Sequence, residues 1–287
     1  MVPRPPRQPT PALALAAAIL LAFVAACTTT EPTGSPSTSA GPSGDTVAVR
    51  AYFLVPTHFG PALLMPVVRQ VSVSGDQPTA AVQALLAGPS DAERGANPRV
   101  MTSIPAGSEL LRLEVVGGTA TVNLGSAFSP DSVVPRNRLA QVVFTLTQFA
   151  GIAGVRIQVA GVPVALSTPD GVVVDRPVNR LDFTDQLPVV FLDTPAWGDR
   201  VASPAKLTGL ANVFEANFHI RILDATGHSL ADGPVMATCG SGCWGTFEVS
   251  VPFTVNAPEA GMVQVYALSA ADGSIESLVT YPVTLTP

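Results

Sequence analysis

The sequence predicts two folded domains in succession, an α/β (α+β) domain and then an all-β sandwich, and three observations carry that expectation. Between residues 46 and 168, short period-two segments alternate with two stretches of helical period. Between residues 188 and 287 only short strands remain, set apart by turn signals. Residues 169–187 show neither period and read as a linker.

In the first domain, Pro78, Ala81, Val82, Leu85 and Leu86 recur at helical spacing. Pro78 suits the first turn of that helix and Gly88-Pro89 stops it. A second helix follows from Leu139, Val142, Val143, Leu146 and Phe149, which share one face before Gly151. Strands are expected over 47–55, 67–73, 111–115, 120–124 and 155–159, with Gly117-Gly118 joining the third and fourth as a hairpin. This alternation implies a layered domain in which both helices cover one sheet.

In the second domain, strands are expected over 189–192, 207–213, 219–223, 235–238, 247–251, 262–267 and 278–285. Asp193-Thr-Pro195, Asp224-Ala-Thr-Gly227, Asp232-Gly233 and Asp272-Gly273 supply the turns. Seven short strands in about a hundred residues is the count of an immunoglobulin-like β-sandwich. Cys239 and Cys243 lie too close in sequence to bridge opposite sheets, and Trp197 and Trp244 are the candidates for the buried tryptophan of such a fold.

At the N-terminus, Arg4 and Arg7 lead into an apolar run over 12–26. At ~1.5 Å per residue that run falls short of a ~30 Å hydrocarbon core, so residues 1–26 read as a signal peptide. Val24-Ala25-Ala26-Cys27 resembles the lipobox of bacterial lipoproteins. The resemblance implies acyl chains, palmitate among them, on Cys27 and a lipid-anchored place on the extracytoplasmic face of the cell membrane. Residues 27–45, rich in Thr, Ser, Pro and Gly, then form a flexible tether. The alternative is a Cys27 lost with a signal peptide cut at an A-x-A-like site.

Only 13% of residues are charged and the net charge is −6, a balance that does not suit nucleic acid. Outside the cell, the remaining cysteine pair, Cys239 and Cys243, suggests a disulfide. So short a loop contributes roughly 2 kcal/mol in the chain-entropy model, so its use is to pin one turn. The rival is a redox pair or half a metal site, although the spacing is not Cys-x-x-Cys.

Three stretches of the first domain, 81–89 (AVQALLAGP), 104–113 (IPAGSELLRL) and 138–149 (RLAQVVFTLTQF), resemble the GerMN domain. The second domain is similar to the immunoglobulin-like domain of bacterial spore germination. The stretches that carry this are 201–204, 209–215, 221–227 and 245–252. Together the resemblances imply an extracytoplasmic envelope protein that acts through binding or assembly in a sporulation- or germination-type process. They carry over no catalytic residue.

The residues point the same way. His58, His219 and His228 fall in different segments with no metal-binding spacing, and His219 reads as a satisfied side chain on a sheet face. No G-x-S-x-G elbow or phosphate-binding glycine loop occurs, so neither an enzyme nor a cofactor is expected. Asp182 and Asp185 are a carboxylate pair in the linker, where acids are usually solvated, and Glu215 is expected to accept backbone N–H bonds near a turn. Trp197, Trp244 and Phe59 stand beside loop residues and are candidate binding anchors, or, for the tryptophans, plugs at the ends of the sandwich. Expected partners are the membrane, through the anchor, and another envelope protein, with a cell-wall glycan or peptidoglycan as the alternative.

Overall fold

The computed structural model describes residues 45–57, 60–130, 134–167 and 173–287. The signal peptide, Cys27, the tether to residue 44 and the His58-Phe59 pair lie outside them.

The first domain begins with the hairpin β1 (Thr46–Val55) and β2 (Leu63–Ser72). Helices α1 (Gln77–Leu86) and α2 (Asp91–Gly95) follow, then β3 (Leu110–Val116), β4 (Thr119–Leu124), α3 (Arg136–Leu146), β5 (Gly154–Val159) and β6 (Val162–Pro163). Pro78 sits in the first turn of α1, where its missing N–H has no intrahelical acceptor to lose. Gly117 and Gly118, at φ 56° and 78°, make the two-residue turn between β3 and β4.

The expected single sheet is in fact two. β1 and β2 form a two-stranded sheet, extended by single bridges from Leu54 to Met101 and from Val67 to Trp197, while β3, β4, β5 and β6 form a four-stranded sheet in that order. The physical reason lies in α3, whose residues Arg138 to Leu146 are buried without a break. A helix buried on every side has no solvated face and is covered by elements on more than one side.

Its polar positions explain how β1 tolerates this. Gln141 and Thr145 on α3, and Gln148 just beyond it, face the free edge of β1. Gln141 Nε2 donates to the Tyr52 carbonyl at 3.0 Å, and the Tyr52 N–H donates to Thr145 Oγ1 at 3.1 Å. Gln148 closes both backbone groups of Arg50, at 2.8 and 2.7 Å. Two side-chain amides and a hydroxyl thus stand in for a neighbouring strand along Arg50 and Tyr52, and Met101 pairs Leu54, which keeps the buried backbone groups paired.

A short β7–β8 pair (Leu166–Ser167 with Val173–Val174) precedes a 3-10 segment, Arg180–Gln186, inside the expected linker. This segment is not simply solvated: Phe183 is buried, and the Arg136 guanidinium lies 5.2 Å from its ring centre. Asp185 pairs with Arg136 at 2.8 Å and Asp182 with Arg176 at 2.5 Å.

The second domain contains β9 (Val190–Thr194), β10 (Arg200–Ala202), β11 (Ala205–Ala211), β12 (Asn217–Leu223), β13 (Ser229–Met236), β14 (Gly245–Val251), β15 (Glu259–Leu268) and β16 (Ile275–Thr286). They form a three-stranded sheet, β14-β11-β9, and a five-stranded sheet, β10-β16-β15-β12-β13. Alternate residues of β12, Phe218, Ile220 and Ile222, are buried, and the Phe218 ring lies 4.7 Å from that of Phe247 in the other sheet. Asp232-Gly233, expected as a turn, lies within β13. Arg221 on β12 is its register partner and donates to Asp232 at 2.7 Å, so the acid serves a cross-strand pair.

One core runs through both domains. Trp197 bridges β2, its N–H donating to the Pro66 carbonyl and its carbonyl accepting from Val68, both at 2.9 Å. Behind this joint, Tyr52 of β1, Phe144 of α3 and Phe191 of β9 stack at 5.4 to 6.4 Å between ring centres. Arg180 donates to Tyr52 Oη at 2.9 Å and to Asp193 at 3.0 Å, while the Tyr52 hydroxyl donates to the same carboxylate. Among the described residues no helix is long and apolar enough to cross a membrane.

Candidate functional site: the braced end of the sandwich

At one end of the second domain, the loop that follows β11 and the loop between β13 and β14 are fastened together. Cys239 and Cys243 are joined there, with Cα atoms 5.9 Å apart, within the range a disulfide requires. Across the gap, Ser241 N–H donates to the Val213 carbonyl at 2.8 Å and Gly242 N–H to Asn212 Oδ1 at 3.0 Å. The Glu215 N–H donates to Ser241 Oγ at 3.0 Å.

The backbone here is held where most residues do not go. Five non-glycine residues among those described have positive φ, and three of them, Glu215 (53°), Ala216 (58°) and Ser241 (54°), meet at this end. Each costs on the order of 1 kcal/mol, so the surrounding bonds must impose the shape. The glycines allow the close approach: a Cβ on Gly240 would lie 2.2 Å from the Ala216 nitrogen, and one on Gly245 2.3 Å from the Cys239 carbonyl oxygen.

What this frame presents is apolar. Phe214 is 65% exposed and Met236, opposite Asn217 in the ladder, is 71% exposed. Trp244, beside Cys243, packs partly against the core and remains partly open. A fixed loop offering an aromatic ring, beside a strand end offering a methionine side chain, loses little freedom on contact and buries large area, the properties of a protein-binding anchor.

Of the anchors read from the sequence, only Trp244 belongs to this site. Trp197 does not act as an exposed anchor: it is 8% exposed, part of the core, with its backbone stitched to β2. Phe59 lies outside the described residues. Phe214 carries no signal in the sequence because only the loop geometry turns it outward, whereas Met236 ends β13 and faces out by strand alternation with Asp232 and Pro234. Glu215 is exposed, and the backbone bond at that residue runs from its N–H, not to its carboxylate.

Elsewhere, His219 stacks on Tyr266 at 5.2 Å on the outer face of the larger sheet, 3.6 Å from Asp232. Burial opposes the Asp232 charge, but bonds from Arg221 and Tyr266 hold its carboxyl below the usual range. That group is a satisfied cross-strand cluster. Among the described residues no three His, Cys, Asp or Glu side chains gather to hold a metal. A cleft of about 420 Å³ in the first domain is walled by Leu86, Pro89, Met101 and Ile104, with Arg94 and Arg99 at its side.

Comparison with known proteins agrees with the two-domain architecture. Residues 50–165 match the family described as sporulation and spore germination, and residues 189–274 match the immunoglobulin-like domain of bacterial spore germination. Among solved structures, the tandem GerMN domains of the sporulation protein GerM from Bacillus subtilis are 21% identical, with 50% of each chain covered and a TM-score of 0.40. The chain therefore spans half the length of that protein's structure. The first GerMN domain of the same protein is 19% identical over 47% of this chain and 99% of that one, TM-score 0.35. A candidate lipoprotein from Clostridium perfringens is 18% identical over 48% and 89%, TM-score 0.30. At these scores the family matches carry the domain assignment. Among curated proteins none matches.

Proposed function

Since this chain joins a sporulation and spore germination domain of the GerMN kind to an immunoglobulin-like domain of bacterial spore germination, we propose that it is a non-enzymatic envelope lipoprotein. Acyl chains on Cys27 hold it to the outer face of the cell membrane, and it works by binding another envelope protein. The braced end of the sandwich is the contact. The observation that carries this reading is Phe214, 65% exposed on a loop whose backbone is fixed by Ser241 and the Cys239–Cys243 link.

The lipobox supports the anchor, and the Ser-, Thr- and Pro-rich tether supports a domain spaced from a surface. The test is crosslinking of the tagged lipoprotein in living cells, with Phe214→Ala and Cys27→Ala as the two variants. A specific envelope protein captured by the wild type and lost with Phe214→Ala, at unchanged abundance and melting temperature, is the expected result. Equal capture by Phe214→Ala would remove this end as the contact. Capture of wall fragments in place of a protein would move the reading to glycan or peptidoglycan binding, for which Trp244 is the remaining tryptophan once Trp197 is buried.

A further inference from the structure

β3 is an outer strand of the four-stranded sheet: β4 pairs one edge, and among the described residues no strand pairs the other. The two-residue turn at Gly117-Gly118 makes Val116 and Thr119 its closing pair, so the backbone groups of Glu114 and Val116 turn toward β4. Those of Leu113 and Val115 therefore point outward. Beside them, Leu111 is 53% and Val115 45% exposed, an apolar margin along an open edge.

Edges of this kind are usually protected by like charges, which repel a second strand of the same sequence. Here the charges are Arg112 and Glu114, of opposite sign and two residues apart, both exposed and already in contact with each other. In an antiparallel pair centred on Leu113, residue 112 of one chain faces residue 114 of the other. Each Arg112 then meets the second copy's Glu114, and Leu113 meets its own counterpart through two outward backbone bonds; the bulge at Leu111, where the β3–β4 register shifts, bounds this pairing at one end. The charge order that would defend the edge against itself is absent, and the order present matches a two-fold axis.

We propose that β3 is a self-association edge, where a second copy of this chain adds its own β3 antiparallel about Leu113 to make one continuous sheet. This surface is separate from the braced end of the sandwich.

The test uses two differently tagged full-length copies co-expressed and recovered in mild detergent, with capture of one by the other as the readout. Wild-type copies should capture each other. Arg112→Glu in both copies places four acids at the axis, and Glu114→Arg in both places four arginines there. Either should lower capture about tenfold or more. Arg112→Glu in one copy with Glu114→Arg in the other restores opposite signs at both contacts and should recover it. Because both side chains are exposed, neither variant should alter folding, and an unchanged melting temperature verifies that. No self-capture by wild type, equal capture by all variants, or failure of the mixed pair to recover would each overturn the proposal.

Discussion

At the residue scale, the joint between domains depends on Tyr52, Arg180 and Asp193. Burial pushes the Tyr52 hydroxyl well above its ordinary pKa, with Asp193 adding to it, so the phenol stays protonated and donates to that carboxylate. Burial disfavours the Arg180 charge, yet Tyr52 and Asp193 keep its pKa above the usual value. Removing the guanidinium by Arg180→Ala leaves Asp193 with one donor and strips the ring contacts to Tyr52 and Phe144 at 5.3 and 4.8 Å. The expected cost is about 2 to 3 kcal/mol, read as a lower denaturant midpoint with the slope unchanged. Glu93 yields a pH test. Burial raises its carboxyl pKa, but the two 2.7 Å bonds from Arg69 and one from the Ser90 N–H outweigh that, and the folded pKa lies below the ordinary one. Its contribution is complete above the unfolded value of about 4.3 and is lost as pH falls through the lower folded value. Glu93→Gln should therefore destabilise at pH 7 and converge with wild type near pH 3, measured by urea unfolding at both. A constant gap at the two pH values would exclude this linkage.

At the element scale, α3 shows what a sequence displays and what it hides. Leu139, Val142, Val143 and Leu146 announce the helix because apolar residues at that spacing suit a single packed face. The stripe Gln141, Thr145 and Gln148 carries no such signal, because its purpose depends on β1, whose Arg50 and Tyr52 lie some ninety residues earlier. The same limit applies to the site. Trp244 and the cysteine pair are legible from residue type and spacing, whereas Phe214 is marked only by the positive φ angles that follow it. Asp232-Gly233 misleads for a related reason, since its partner Arg221 sits on another strand. Two element-level outcomes follow. Gln141→Ala should leave the buried Tyr52 carbonyl and the half-buried Ser103 N–H without these partners, at a cost of about 2 kcal/mol by denaturant midpoint. Gly240→Ala should force the two loops of the braced end apart and weaken partner capture as Phe214→Ala does, with hydrogen exchange rising at Val213 to Ala216.

At the scale of the whole molecule, the question is whether two family domains make two cooperative units. Neither domain closes its core alone. Phe191 and Asp193 of β9 complete the aromatic and polar cluster around Tyr52 and Phe144, and Trp197 is a backbone partner of β2. The next residues continue the stitch, Gly198 donating to Pro282 and Thr284 to Asp199, so β2 is tied through this segment to β16 at the far end of the chain. Domains joined by a mobile linker would expose a polar face to each other; here the joint has an aromatic core, and Tyr52, Arg180 and Asp193 pair with one another across it, while Arg50 reaches Thr194 of β9 at 2.6 Å with its Nε buried and unpartnered. Residues 45–287 are therefore expected to unfold in one transition, with a denaturant slope of the whole unit. Trp197→Ala removes a large side chain from the joint, and truncation of a buried tryptophan costs about 3 to 5 kcal/mol. Intrinsic fluorescence and far-ultraviolet circular dichroism followed along one urea titration provide the measurement. Coincident curves for wild type, with Trp197→Ala lowering the midpoint or splitting it into two steps, are the outcome the joint requires. Two steps in the wild type would mean that the domains are cooperative units of their own.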